Sequence, residues 1–139
     1  MSDPKKKTVL QIIDSLHRGG AQKIVLEISK ALPEFNHIVC YWENKTDLEE
    51  EFLAEGVELF RLPFQGIHTL FTAIRFVKKL KEERPIHFVH SHMFVPNLLA
   101  RSIKDHSNKT LCTYHGECFE ETIKGFIIRV LERVTLNRS

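Results

Sequence analysis

The sequence predicts an α/β fold, a Rossmann-like three-layer sandwich around a mostly parallel sheet of about five strands. Three observations predict it. Short apolar runs alternate with helical segments along the whole chain, in the order β-α-β-α-β-α-β-α-β-α. That alternation is the signature of a parallel sheet with helices on both faces. Breakers stand where the runs should end, at Pro33, Gly56, Pro63 and Pro85. The 139 residues suit one domain, and 42% hydrophobic with 27% charged residues is an ordinary globular balance.

Each element has its own local reason. Thr8–Ile13 is a short β-rich run. Ala21–Leu32 carries Ile24, Val25, Ile28 and Leu32 at helical spacing, and Pro33 stops it. Asn36–Trp42 reads as the second strand. Asp47–Ala54 is a short acidic helix ended by Gly56. Val57–Leu62 is the third strand, closed by Pro63. Residues 68–83 form a helix with Leu70, Phe71, Ile74, Val77 and Leu80 on one face and Arg75, Lys78, Lys79 and Lys81 largely on the other. Ile86–Ser91 is the fourth strand, and Val95–Lys104 a helix with Pro96 in its first turn. Lys109–Tyr114 is the fifth strand, and a last helix covers Glu121–Asn137. Its apolar stripe of Ile123, Phe126, Ile127, Val130, Leu131 and Val134 lies beside Lys124, Arg129, Arg133 and Arg138. Such a helix packs on a sheet or lies in a membrane interface. Residues 1–7 read as a flexible basic lead-in, and residues 8–139 as the domain.

Composition excludes several classes. Twenty basic against 18 acidic residues leave a charge of +2, far from a polycation built for nucleic acid. No apolar run approaches the roughly 18 residues of a membrane span. The amino terminus has no apolar core and small-residue cleavage site of a signal peptide. Three cysteines, Cys40, Cys112 and Cys118, make no disulfide framework and suit a reducing, cytoplasmic setting.

With strand order 3-2-1-4-5, the switch point lies between the first and fourth strands, and ligands bind at the carboxyl ends there. Three segments then face one crevice. The first is Ser15-Leu16-His17-Arg18-Gly19-Gly20-Ala21, a strand-to-helix turn. Two glycines at a helix start let a ligand approach the free N–H groups closely, which suits phosphate. The same glycines also serve a tight turn that binds nothing. The turn is neither GxGxxG nor a phosphate-loop motif, so a dinucleotide cofactor or such an ATPase is disfavoured. The second segment is His90-Ser91-His92, whose period-2 spacing puts both imidazoles on the face of Phe88. One reading makes one of them a hydrogen-bonded core residue and the other a residue of the crevice rim. The third is Thr113-Tyr114-His115-Gly116, a strand-end histidine able to bond sugar hydroxyls or phosphate, or to act as acid or base. A zinc site would recruit His115, Cys112 or Cys118 beside these two histidines, but Cys112 should point to the opposite face from His115 and no CxxC or HExxH spacing exists; a metal hydrolase would use His90, His92 and His115.

VLQIIDSLHRGGAQKIVLEISKAL, IHFVHSHMFVPNLLAR and KTLCTYHGE, in that order and spacing, resemble the amino-terminal half of a family 4 retaining glycosyltransferase of the GT-B fold. Gln22-Lys23 stands where the family often has Glu-Arg. The resemblance covers nearly the whole chain and implies half of a GT-B fold. It implies the acceptor-binding half of an enzyme that moves a sugar from a nucleotide-diphosphate-sugar to a glycan or lipid-linked acceptor, as in cell-envelope polysaccharide synthesis. Gly19 and Gly20 would approach the donor diphosphate. Arg18, His92 and His115 would lie at the acceptor, with His115 the catalytic residue. No metal or cofactor is implied beyond the nucleotide-sugar as substrate.

The family's nucleotide-sugar domain, with its acidic EX7E-type motif, has no counterpart in these residues. The resemblance therefore implies a need for a second domain or partner chain, and a cytoplasmic protein, peripheral on the inner face of the membrane where its acceptor is lipid-linked. A non-enzymatic binding module on the same fold, or a His-based metal hydrolase, remains an alternative.

Overall fold

The computed structural model describes residues 3–114. Their elements run β1 (Thr8–Ile12), α1 (Gly20–Ala31), β2 (Asn36–Tyr41), α2 (Glu49–Ala54), β3 (Glu58–Arg61), a 3-10 turn (Ile67–Thr69), α3 (Leu70–Glu83), β4 (Ile86–His92), α4 (Phe94–Ser102) and β5 (Lys109–Thr113). All five strands form one parallel sheet in the order β3-β2-β1-β4-β5. The expected fold class and strand order are both present. The helix expected over 121–137 lies outside the described residues.

β1 is the middle strand. It pairs with β2 from Thr8↔Asn36 to Ile12↔Cys40 and with β4 as far as Ile12↔Ser91. All five of its residues are buried, which is why it reads as a continuous apolar run rather than an alternating one. On one face Leu10, Ile12, Ile38, Cys40 and Val89 pack with Ala73, Val77 and Leu80 of α3 and Leu99 and Ala100 of α4. On the other, Ile13, Val39 and Tyr41 pack with Val25 and Leu26 of α1 and Phe52 of α2. Helices thus cover both faces. Burial pushes the Cys40 thiol well above its ordinary titration range, so it stays protonated and unreactive.

Two helix faces differ from the sequence expectation. α1 buries Gln22, Val25, Leu26 and Ser29, while Ile24 and Leu32 are exposed. The cause is Gln11, a fully buried amide in β1. Its Nε2 donates to Ser29 Oγ at 3.4 Å and lies 3.5 Å from the Val25 carbonyl. A buried amide needs partners, so the face carrying Ser29 turns inward. On α3 the buried residues are Ala73, Val77 and Leu80, and Phe71 points away from the core.

The lead-in is also better held than its composition suggests. Asn36 Oδ1 accepts from the Asp3 N–H at 3.0 Å, and Asn36 Nδ2 donates to the Asp3 carbonyl at 2.7 Å. Lys6 Nζ donates to the Pro33 carbonyl at 2.8 Å.

Lys81 links α3 to the end of α4. Its side chain is only 8% exposed, and Nζ donates to the Ile103 carbonyl at 2.9 Å and to Asp105 Oδ2 at 2.6 Å. The Lys81 contact, with further hydrogen bonds from Ser107, lowers the Asp105 carboxyl from its ordinary 3.8 to about 2. A depressed carboxyl stabilises the fold above its unfolded value and stops doing so as pH falls through the folded one. Asp105 itself is solvent-exposed, so Asp105→Asn should cost about 1 kcal/mol or less at neutral pH. Its main signature should be a flatter loss of stability on acidification between 3.8 and about 2, read from urea denaturation against pH.

Candidate functional site

Parallel strands end together, so the loops after β1 and β4 leave the sheet at the edge where β5 also ends. Ile12 pairs with Ser91, and His92 with Thr113, so these are adjoining strand ends.

The β1–α1 loop is organised by hydrogen bonds. The Asp14 carbonyl accepts from the N–H groups of Trp42 and Glu43, at 3.0 and 2.9 Å. Leu16 exchanges backbone bonds with Lys45 and Leu48. Asp14 Oδ1 accepts from Ser15 N at 2.7 Å and from Gln22 Nε2 at 3.0 Å. Ser15 Oγ lies 2.5 Å from His17 Nδ1. The ring's other nitrogen is Nε2. That nitrogen faces Gly19: a Cβ built there would lie 2.5 Å from His17 Nε2 and 2.5 Å from Gln22 Oε1.

α1 begins just beyond. Its amino-terminal cap is Gly19, which supplies no side-chain hydrogen bond, and no acidic residue stands in the first turn. The dipole and the first N–H groups of a twelve-residue helix are thus uncapped by side chains. Gly20 is exposed, and a Cβ on it would meet nothing within 4 Å. The two glycines therefore differ: the loop's own packing requires Gly19, and no described neighbour requires Gly20.

At the end of β4, His90 and His92 share a face, with ring centroids 4.0 Å apart. Their burial is the reverse of a rim position for His92. His92 is fully buried, and His90 is the more exposed of the two. His90 Nε2 lies 2.8 Å from Thr113 Oγ1. Ser91 Oγ donates to Asn97 Oδ1 at 2.7 Å. Asn97 Nδ2 donates to the Thr113 carbonyl at 3.2 Å, and Met93 N to the same oxygen at 3.1 Å. Met93 has φ 78° and ψ 174° as the residue that caps α4. A side chain there is strained by about 1–3 kcal/mol, and such strain persists only where surrounding bonds hold it. Here Asn97 and the end of β5 hold it.

Arg18 is exposed and engaged by α2. Its N–H donates to Asp47 Oδ2 at 3.1 Å, and its guanidinium donates to Glu51 Oε1 at 2.8 Å. It therefore does not project unpaired into the crevice. His115 lies outside the described residues. Among the described residues no cluster of three or more His, Cys, Asp or Glu could hold a metal ion. A depression of about 230 Å³ opens elsewhere, at the amino ends of the strands, lined by Lys6, Asn36, His37, Glu55 and Glu58 among others.

Sequence reasoning passed over His17, Gln22 and Asn97. A Ser-x-His spacing just before Gly-Gly, and a lone Asn in the apolar run FVPNLLA, were the available signals.

Comparison with known proteins completes the picture. The model of Glycosyltransferase Family 4 matches residues 18–139. EpsF of Bacillus subtilis (strain 168), named as a glycosyltransferase, is 30% identical over 92 residues, 63% of this chain and 24% of that protein. The crystal structure of a glycosyltransferase from Rickettsia africae ESF-5 superposes with a TM-score of 0.66 at 16% identity, over 93% of this chain and 35% of the other. The chain thus spans about a quarter of the one relative and about a third of the other.

Proposed function

The chain belongs to glycosyltransferase family 4, and from that membership we propose that it forms the acceptor-binding half of a GT-B enzyme. The enzyme would move a sugar from a nucleotide-diphosphate-sugar to a glycan or lipid-linked acceptor in the synthesis of a cell-envelope polysaccharide. The observation that carries the reading is the start of α1. An uncapped helix end at the sheet's switch point, with open space over Gly20, suits a diphosphate.

Gly19 and Gly20 let the donor diphosphate approach the first backbone N–H groups of α1, the Gly19 N–H itself being held by the His17 carbonyl at 2.8 Å, and His17 Nε2 adds a side-chain donor beside them. Each stabilises the negative charge that grows on the leaving diphosphate. Asp14, Ser15 and Gln22 hold that imidazole, so the donor is oriented before substrate arrives. Arg18 lies at the acceptor side, where its guanidinium can exchange Glu51 for an acceptor group. His92 supports that wall from within the core, and His115, carried over from the family resemblance, acts on the acceptor as the catalytic residue. No metal or cofactor enters this reading.

Transfer needs a second wall that grips the nucleotide-sugar, supplied by a further domain or a partner chain in a cytoplasmic enzyme. A lipid-linked acceptor would bring that enzyme to the inner face of the membrane. The test is transfer from a panel of nucleotide-sugars, by the 139-residue chain alone and with a nucleotide-sugar-binding partner. Turnover should require the partner. Robust turnover by the chain alone would overturn the split of labour.

A further inference from the structure

We propose that Asn97 is a positioning residue for the transfer reaction: it fixes the direction in which the chain leaves β5, and so the place of His115 two residues on from Thr113. The proposal deepens the reading of His115 as the catalytic residue and rests on it. Backbone order and sugar transfer are separate measurements, so the clamp and that reading can fail independently.

The first observation is what stands at this position. Asn97 lies near the start of α4, in the apolar run FVPNLLA, and is fully buried. Leucine is the better helix former and asks for no partner once buried. Packing therefore does not account for an amide here, and its bonds do.

The second is where those bonds go. Asn97 Oδ1 accepts from Ser91 Oγ at 2.7 Å, and Nδ2 donates to the Thr113 carbonyl at 3.2 Å. A carbonyl can only accept, so the amide has one orientation and the Ser91 hydroxyl is the donor. Ser91 Oγ also lies 3.4 Å from Cys112 Sγ. One side chain of α4 thus ties the end of β4 to the end of β5, at the carboxyl edge of the sheet.

The third is how completely Thr113 is held. Its carbonyl also accepts from Met93 N at 3.1 Å, and its Oγ1 lies 2.8 Å from His90 Nε2. Two donors on one carbonyl oxygen fix the plane of the peptide that joins Thr113 to Tyr114. Each residue adds only two soft dihedrals, so that plane sets where the chain points as it leaves the sheet. Only Tyr114 separates Thr113 from His115, which leaves little room to correct an error. Apolar packing holds layers together, whereas hydrogen bonds have the direction needed to set a peptide plane.

The fourth is strain. Met93, at φ 78° and ψ 174°, is the sole non-glycine with positive φ among the described residues. Both of its backbone groups serve this junction, since its carbonyl accepts from Asn97 N at 3.1 Å. Strained backbone gathers where geometry is part of the mechanism. A strand that only had to stop could do so at a glycine without strain.

The variant that tests this is Ser91→Ala with Asn97→Leu. It removes both partners of the Oδ1 bond together and leaves the Thr113 carbonyl with the Met93 N–H, so neither is orphaned. Its thermal midpoint should stay within about 4 °C of the parent. In the full chain, the amide order parameter of Tyr114 should fall below about 0.6, while those of β1 and β2 stay near 0.85. In the enzyme assembled with a nucleotide-sugar-binding partner, kcat should fall by about tenfold to a hundredfold, with KM for the nucleotide-sugar within about twofold. Leu99→Ala, a buried deletion on the same helix, should lose stability yet keep kcat. If the double variant does not fold, Asn97→Leu alone gives the same readings, since Ser91 Oγ can then turn to Cys112 Sγ. An unchanged Tyr114 order parameter, or a kcat loss no greater than that of Leu99→Ala, would overturn the proposal. Transfer that survives His115→Gln would overturn the reading of His115 instead, and the Tyr114 order parameter then decides the clamp.

Discussion

His92→Ala is expected to unfold the domain at a markedly lower urea concentration than His90→Ala does. His92 is fully enclosed at the end of β4, so its removal leaves a cavity the size of an imidazole. Large buried deletions cost about 2–5 kcal/mol. His90 is half-buried, with Nε2 2.8 Å from Thr113 Oγ1. Loss of one such bond with partial packing should cost roughly 1–2 kcal/mol. Urea midpoints of both variants against the parent decide the order. If His90→Ala is the more damaging, the burial of the two rings is assigned the wrong way round. The support that His92 gives the acceptor wall would then have to come from His90.

The second large effect separates stability from binding at neighbouring glycines. Gly20→Ala should leave thermal stability unchanged or raise it by up to about 1 kcal/mol, since alanine is the better helix former and its Cβ meets nothing. Gly19→Ala should destabilise, because the new Cβ would push on His17 Nε2 and Gln22 Oε1 and so loosen the bonds among Asp14, Ser15 and His17. Binding should follow a different order. Titration with inorganic pyrophosphate should shift the amide resonances of Gly19, Gly20 and Ala21 in the parent chain. Gly20→Val should weaken that binding by about tenfold or more, as a side chain now occupies the space over the first helical N–H groups. If Gly20→Val binds pyrophosphate like the parent, the start of α1 is only a turn, and the diphosphate belongs elsewhere.

Much of this was legible before any coordinates. The parallel sheet followed from alternation and the breakers, and the strand order supposed for it is one of the few that parallel strands joined by helices admit. The crevice segments followed from that order. What escaped was set by side-chain demands that appear only once strands pair. α1 turned its Ser29 face inward because Gln11, unremarkable in the sequence, became a fully buried amide seeking partners. Phe71 was placed on the apolar face of α3 yet stands outside it, since at about 100° per residue it lies nearly opposite Leu80. The histidines of β4 exchanged roles because burial at a strand end depends on what the next helix and strand bring over it. Asn97 brings α4 against both, through Ser91 and Thr113.

The position of β1 has a consequence for how the chain is made. Thr8 pairs with Ile86, 78 positions later (86 − 8), although β1 is the first strand to be synthesised. At about 5–20 residues per second, a ribosome needs roughly 4–16 s to reach its second partner. Until then β1 can pair only with β2, and one row of its backbone donors and acceptors stays open beside Val9, Leu10 and Ile12. A nascent strand of that kind is a natural target for holding factors and for mispairing with another chain. Slowing translation just after β4 should therefore raise the soluble yield, whereas a pause between β2 and β4 should lower it.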